Sequence, residues 1–184
     1  MANTYCAAVR TGIDEWNKHY HDTEYGYPLT GDDELFERLI LEINQAGLSW
    51  LTILKKRESF KKAYDNFSLE RVAAYDDEAR ARLLADAGII RNRLKVNAAI
   101  ENARRILALR AEHGSFAKWL EAHHSNDLAA WSKLFKKTFV FTGGEIVREF
   151  LVSTGYLEGA HDQDCPAFKK VAKHRPRWMM KNPR

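Results

Sequence analysis

The feature that most constrains the fold is a long stretch without proline, residues 29–165. The four prolines of the 184-residue chain lie outside it, at Pro28, Pro166, Pro176 and Pro183. Because proline removes a backbone donor and breaks helices, its absence favours helices throughout the stretch. Residues 138–142 resemble a strand, but a single strand has no pairing partner, so we expect an extended connector there. The sequence therefore predicts an all-α fold.

Apolar spacing and glycine positions predict where the helices begin and end. Leu35, Leu39 and Ile43 recur at helical spacing, and Gly47 interrupts the helix that they mark. Further helical patterns cover residues 78–87, 92–113, 116–123 and 128–137, with a last helix before residue 155. Gly88 follows one of these helices at the C′ position, where we expect left-handed backbone.

The composition, 45% hydrophobic and 29% charged, is typical of soluble globular proteins. No apolar segment reaches the roughly 20 residues that a membrane helix needs, and residues 1–16 lack a signal-peptide pattern. We therefore expect a cytoplasmic protein without a membrane partner. We also expect a monomer.

The net charge of +4 is concentrated at the C-terminus. Residues 169–184 carry seven Lys or Arg and no acidic residue, which leaves 22 basic against 25 acidic side chains in the remainder. Overall basicity is therefore weak evidence for nucleic-acid binding. We expect a single compact helical domain over residues 1–168 and a basic tail over residues 169–184. The tail is either a solvated segment or an arm that contacts phosphate.

Residues 83–96 form a candidate helical hairpin with positive charge. Its short glycine turn precedes a helix whose first N–H groups can meet a phosphate. Arg91, Arg93 and Lys95 add positive charge beside them. Such a hairpin would hold the backbone of a nucleic acid without reading its sequence. The alternative is an ordinary helical corner with solvated basic side chains.

Residues 42–50 place a carboxylate and a tryptophan on either side of a helix break. On a helical wheel Glu42 lies at the edge of the apolar stripe that includes Leu35 and Leu39, so we expect partial burial of its carboxylate. Trp50 follows the break closely enough to face the same cleft. A carboxylate beside a tryptophan face is a suitable receptor for a cationic aromatic ring. The alternative is a surface Glu42 and a core Trp50.

Two histidines and two cysteines form a candidate metal set. His161 and Cys165 are four residues apart, near enough to bind one ion, and Cys6 with His21 offers a second pair near the other end of the chain. Four protein ligands would make a closed structural zinc site. The alternatives are two free cysteines or a Cys6–Cys165 disulfide, which the cytoplasm disfavours.

These motifs resemble those of the 3-methyladenine DNA glycosylase I family over residues 6–165. Residues 20–28 resemble its YHDxEWGxP signature, residues 41–50 its LExxQAGLSW, residues 54–58 its LKKRE, and residues 86–93 its helical hairpin. The resemblance implies an all-helical helix-hairpin-helix DNA glycosylase in which one structural zinc ion per chain joins the two ends. The zinc ligands would be Cys6, His21, His161 and Cys165.

The resemblance also implies roles for other residues. Glu42 and Tyr20 would bind the extruded base, Trp50 would stack on it, and Glu42 is the candidate catalytic residue. The expected DNA-binding residues are Gly47, Leu48, Gly88, Arg91 and Arg93. Among these, Leu48 would fill the gap that the flipped nucleotide leaves.

The activity that the resemblance implies is excision of 3-methyladenine from double-stranded DNA containing alkylated bases, which leaves an abasic site. Ala8 and Tyr25 stand where the family has tryptophan, and both are expected near the pocket. One alternative is therefore a glycosylase for another alkylated base. A second is a zinc-containing protein that binds DNA damage without turnover. Retention of Tyr20, Glu42 and Trp50 argues against the second alternative.

Overall fold

The computed structural model describes residues 4–124 and 127–180, and this part of the chain contains helices and no strands. The α-helices are α1 (Tyr5–Thr11), α2 (Glu15–Thr23), α3 (Asp32–Gln45), α4 (Trp50–Ala63), α5 (Leu69–Ala73), α6 (Asp77–Ala85), α7 (Arg93–His113), α8 (Phe116–Ala122), α9 (Leu128–Thr138), α10 (Gly144–Ser153) and α11 (Pro166–Lys173). Two short 3-10 helices cover Asp65–Phe67 and Arg177–Met179. The all-α prediction is confirmed, and residues 139–143 connect α9 to α10 without forming a strand.

Helix α3 forms the centre of the core and contacts α4, α7, α8 and α10. Leu35, Leu39 and Ile43 from its predicted apolar stripe are fully buried. Each such side chain contributes about 1.5–3 kcal/mol through the burial of apolar surface. The C-terminal half of α3 therefore has a fixed position, and the functional residues that extend from it are held by the core.

An ion-pair network joins the helices α2, α3 and α4, which carry the motifs that resemble the glycosylase family. Arg57 on α4 lies 2.7 Å from a carboxylate oxygen of Glu24 and 2.7 Å from one of Glu37 on α3. Glu24 also lies 3.4 Å from a guanidinium nitrogen of Arg38. Because all four side chains are half-buried or buried, this network is shielded from solvent and fixes α2, α3 and α4 relative to one another.

Lys95, expected beside a phosphate, has a different place in the structure. It is buried on the first turn of α7, and its Nζ donates to the carbonyls of Asn44 at 2.8 Å and Ala46 at 2.7 Å. These carbonyls lack partners within α3 because they belong to its C-terminal end. Lys95 therefore caps α3 and links the start of α7 to the turn after α3, and it does not face a phosphate.

The turn between α6 and α7 differs from the prediction in two respects. Gly88 does not adopt left-handed backbone, because α6 ends earlier, at Ala85, and the Asp86 carboxylate accepts from the Gly88 N–H at 2.7 Å. A Cβ at Gly88 would lie only 3.0 Å from that of Ser59, so close packing on α4 explains the glycine. The Asn92 side chain caps α7 and accepts from two of its first N–H groups, which leaves fewer of them for a phosphate.

The C-terminal segment packs against the rest of the structure as far as residue 180. The boundary expected at residue 168 lies inside α11, where Val171 is buried. Beyond α11, the Trp178 N–H donates to the Gly155 carbonyl at 3.2 Å, and Arg177 pairs with Glu121 at 2.7 Å. Residues 181–184 of the expected tail lie outside the described residues. Within residues 4–124 and 127–180, no helix is both long and apolar enough to cross a membrane.

Candidate active site and metal centre

A cavity of about 530 Å³ lies among α1, α2, α3, α4 and α10. Tyr20 from α2, Glu42 from α3 and Trp50 from α4 all line it. The Tyr20 and Trp50 rings are in contact, with centroids 5.1 Å apart. The structure thus brings the three expected base-binding residues to one place, although they lie 30 positions apart in the sequence.

Glu42 is the most buried acidic group of this cavity, with 4% of its surface exposed. Loss of hydration raises the pKa of Glu42 to about 8, Arg38 opposes this rise through its positive charge, and Glu149 adds to it through like-charge repulsion. The carboxylate is therefore held in an environment that disfavours its own charge. A cation placed in the cavity would favour the ionised form.

Two buried donors in the cavity wall have no hydrogen-bond partner within the described residues. They are the hydroxyl of Tyr20 and Nε1 of Trp50. A buried polar atom without a partner costs about 1–3 kcal/mol, so such atoms are rare except where a ligand or water supplies the partner. Both residues line the cavity, and polar groups without partners at a cavity are typical of a binding site.

The candidate metal set also converges. The inward atoms of Cys6, His21, His161 and Cys165 all lie within 4.8 Å of one another. From His21 Nε2 the separations are 3.2 Å to Cys6 Sγ, 3.2 Å to His161 Nδ1 and 3.8 Å to Cys165 Sγ. A tetrahedral zinc ion with two sulfur and two nitrogen ligands requires separations of about 3.3–3.8 Å. The two cysteines are free thiols, so the disulfide alternative does not hold.

The outward nitrogens of both histidines have partners that fix the rings. His21 Nδ1 lies 2.8 Å from the Asp22 carboxylate, and His161 Nε2 lies 2.8 Å from the Tyr25 carbonyl. With each outward nitrogen protonated, each inward nitrogen keeps a free lone pair for a metal. Metal-bound histidines in proteins commonly have such outer partners. The donor set and its surroundings therefore fit a structural zinc ion.

Comparison with known proteins identifies the family. The sequence model of the methyladenine glycosylases matches residues 10–130. The chain belongs to the 3-methyladenine DNA glycosylase I family. It is 38% identical to DNA-3-methyladenine glycosylase 1 of Escherichia coli over 157 residues, covering 75% of this chain and 84% of that protein. It is 37% identical to the DNA-3-methyladenine glycosylase of Haemophilus influenzae over 169 residues, covering 80% and 89%.

The fold likeness is equally clear. A solved structure of a tyrosine-to-phenylalanine variant of 3-methyladenine DNA glycosylase I, in complex with 3-methyladenine, matches with a TM-score of 0.80. The match has 32% sequence identity and covers 87% of this chain and 96% of that one. The predicted family and the predicted fold class are therefore both confirmed.

The structure separates the two departures from the family signature. Tyr25 lines the cavity and is buried, whereas Ala8 is not among the residues that line it. The Tyr25 hydroxyl donates to a carboxylate oxygen of Glu149 at 3.0 Å. The tyrosine at position 25 therefore alters the wall of the cavity of this glycosylase. The alanine at position 8 does not form part of that wall.

Two functional candidates were missed in the sequence. Arg38 is buried, and its guanidinium carbon lies 5.0 Å from the centre of the Tyr20 ring, a cation–π contact. Its position between Leu35 and Leu39 could have identified it, because a charged residue inside an apolar helical stripe needs an internal partner. Glu149 on α10 also lines the cavity, and nothing in the sequence pattern of that helix distinguishes it from a surface carboxylate.

The expected DNA-contacting residues lie on two neighbouring turns. Gly47 has a φ of 80°, which a side chain at this position would strain, and Leu48 beside it is 40% exposed. Arg91 and Arg93 are exposed on the other turn, next to Gly88. Lys95 links the two turns by capping α3, as described above. The structure therefore places an exposed apolar side chain and two exposed cations on turns that Lys95 joins.

Proposed function

We propose that this protein is a monofunctional DNA glycosylase that hydrolyses the N-glycosidic bond of 3-methyladenine in alkylated DNA and leaves an abasic site. One observation carries the proposal: a single cavity joins the buried carboxylate of Glu42 to two unpartnered donors, Tyr20 and Trp50. A methylated adenine offers what this cavity lacks, a positive charge for the carboxylate and a π-face with polar edges for the two aromatic residues.

The chemistry requires little from the protein beyond binding. Methylation at the ring nitrogen gives the base a positive charge, so the bond to the sugar is already weakened and the base leaves as a neutral molecule. Flipping the nucleotide out of the duplex costs a few kcal/mol, and less for a damaged base. Glu42, once ionised beside the cation, favours the methylated base over neutral adenine. A water molecule then completes hydrolysis at the sugar carbon.

DNA would be held by the two neighbouring turns. Leu48, on the turn that Gly47 allows, would enter the gap left by the flipped nucleotide. Gly88, Arg91 and Arg93 would contact the phosphate backbone of double-stranded DNA, which binds such turns through charge and backbone N–H groups. Lys95 supports both turns through its cap on α3 and takes no direct part in DNA contact.

Cys6, His21, His161 and Cys165 would hold one zinc ion per chain. When bound, this ion would supply structural stability, because all four positions are filled by protein atoms and no site is left for water or substrate. His161 and Tyr25 connect the metal centre to the cavity, since the Tyr25 carbonyl accepts from His161 and its ring lines the cavity. Zinc would therefore fix one wall of the base pocket.

The test is incubation of the protein with methylated duplex DNA, followed by chromatography of the released bases. Release of 3-methyladenine is the expected result. Release of a different alkylated base would leave a glycosylase with another preference, a result that the tyrosine at position 25 would help to explain. Tight binding to methylated duplex without release of any base would contradict the proposal and support a damage-binding protein.

A further inference from the structure

The cavity contains a second carboxylate whose position depends on a residue that departs from the family signature. The Tyr25 hydroxyl donates to Oε2 of Glu149 at 3.0 Å, and both residues line the cavity. Tyr25 is buried, while the Glu149 side chain is 25% exposed. A tryptophan at position 25 has no hydroxyl, and its one donor, the ring N–H, leaves the side chain at a different point, so this hydrogen bond is particular to the tyrosine.

The outer side of Glu149 is also held. The Arg148 guanidinium contacts its other oxygen, Oε1, and also lies 3.5 Å from Glu145. The Arg148 side chain is 42% exposed, so it lies at the rim of the cavity and is screened by solvent. Glu149 is therefore oriented from two sides, by a buried hydroxyl and by a rim cation.

We propose that Tyr25 and Glu149 form a specificity-determining pair, in which the tyrosine hydroxyl holds a second carboxylate in the pocket wall and thereby strengthens selection of cationic alkylated purines over neutral ones. The inference rests on the proposed function and deepens it by defining the class of base. A single carboxylate can neutralise one edge of a cationic purine. The positive charge of such a purine is spread over its ring system, so a second carboxylate adds further electrostatic attraction. A neutral base has no net charge and gains no comparable attraction.

The electrostatics of the cavity are consistent with this role. The groups that act on Glu42 are Arg38 from its own helix and, from α10, the carboxylates of Glu145 and Glu149 and a hydrogen bond from Ser153. Glu149 raises the pKa of Glu42 because two negative charges in one cavity repel each other. A cationic base relieves this repulsion, whereas a neutral base does not.

The first measurement is the affinity for two matched probes without DNA. One probe is a dimethylated adenine with a permanent positive charge, and the other is a neutral monomethylated adenine. We expect Glu149→Gln to lower the ratio of cation to neutral affinity by about tenfold, and Tyr25→Phe to lower it by about threefold. The control is Glu112→Gln, which removes a carboxylate that is 74% exposed at the end of α7 and does not line the cavity, and which should leave the ratio unchanged.

The second measurement is the titration of the Glu42 carboxyl carbon by NMR in the wild type and in Glu149→Gln. We expect the variant to titrate at lower pH, because the repelling charge is gone. A purely structural role of Glu149, such as pinning α10, would lower the thermal midpoint and leave both the titration and the affinity ratio as they are. That outcome, with the fold verified by circular dichroism, would overturn the proposal.

The two proposals can fail separately. If wild-type protein releases no base from methylated DNA, the proposed function fails, while the probe affinities still judge the pair directly. If wild-type protein releases a cationic base and Glu149→Gln keeps the wild-type affinity ratio, only the role of Tyr25 and Glu149 is overturned.

Discussion

The candidate metal centre and the proposed base pocket are adjacent clusters of buried polar groups, but they differ in how completely those groups are satisfied. At the metal centre, the outward nitrogens of His21 and His161 have partners within the chain, and the inward atoms face one another. In the pocket, the Tyr20 hydroxyl and Trp50 Nε1 have none among the described residues, and Glu42 is held where its charge is unfavourable. In the first arrangement the polar groups are partnered within the chain, whereas the second leaves hydrogen-bonding groups available to a ligand.

Removal of a metal ligand should have the largest effect on stability. In Cys165→Ser we expect loss of the one zinc ion that we propose and a fall in the thermal midpoint of about 10 °C or more, because that ion would join both ends of the chain. Elemental analysis and thermal denaturation measure the two effects. A chelator added to wild-type protein serves as the control for changes in packing. If elemental analysis finds no metal in the wild type and a chelator leaves its thermal midpoint unchanged, the assignment of a structural zinc site is refuted.

Removal of the pocket carboxylate should have the largest effect on activity. We expect Glu42→Gln to reduce single-turnover excision about 100-fold, because the cation loses its charged partner while the pocket keeps its shape. The matched control is Glu112→Gln, which removes an acidic side chain that is 74% exposed at the end of α7. Wild-type excision by Glu42→Gln would remove this residue from the site.

At high pH the same variant should be more stable than the wild type, because the wild type loses stability there and a glutamine does not titrate. The pKa of Glu42 is raised from 4.5 to about 8 in the folded protein, so its protonated form favours folding. This contribution is complete below pH 4.5 and is lost as the pH rises through 8. Above that pH we expect Glu42→Gln to exceed the wild type by as much as about 5 kcal/mol in the free energy of unfolding, because each pKa unit of the rise from 4.5 to about 8 corresponds to about 1.4 kcal/mol. Urea denaturation of both proteins across this range measures the difference, which should vanish near pH 4.5; a constant difference would contradict the linkage.

The smallest expected effects concern the two turns that we propose to contact DNA. Leu48→Ala should weaken binding to damaged duplex about tenfold and change stability by less than about 0.5 kcal/mol, because the side chain is 40% exposed. Arg91→Gln should instead reduce the slope of log affinity against log salt concentration by about 1. Binding titrations at several salt concentrations separate the two. Equal salt slopes in Arg91→Gln and the wild type would exclude Arg91 from phosphate contact.

Local patterns in the sequence predicted most of the helices and the four candidate metal ligands. The stripe of Leu35, Leu39 and Ile43 identified α3, and the spacing of His161 and Cys165 identified half of the metal set. The position of Lys95 was not predictable, because a lysine on the first turn of a helix can equally reach a phosphate or the end of another helix. Only the approach of α7 to α3 decides between them.

The sequence by itself determined the helical class, the family and the identity of the residues available for chemistry, because helix formation depends on local spacing and the motifs are contiguous. The tertiary structure alone decided which of these residues meet. It brought Glu42 and Glu149 from separate helices into one cavity, and it joined Tyr25 to Glu149 across 124 positions. Burial and electrostatic coupling depend on such distant contacts, so the unfavourable environment of Glu42 and the second carboxylate arise only when the chain is folded.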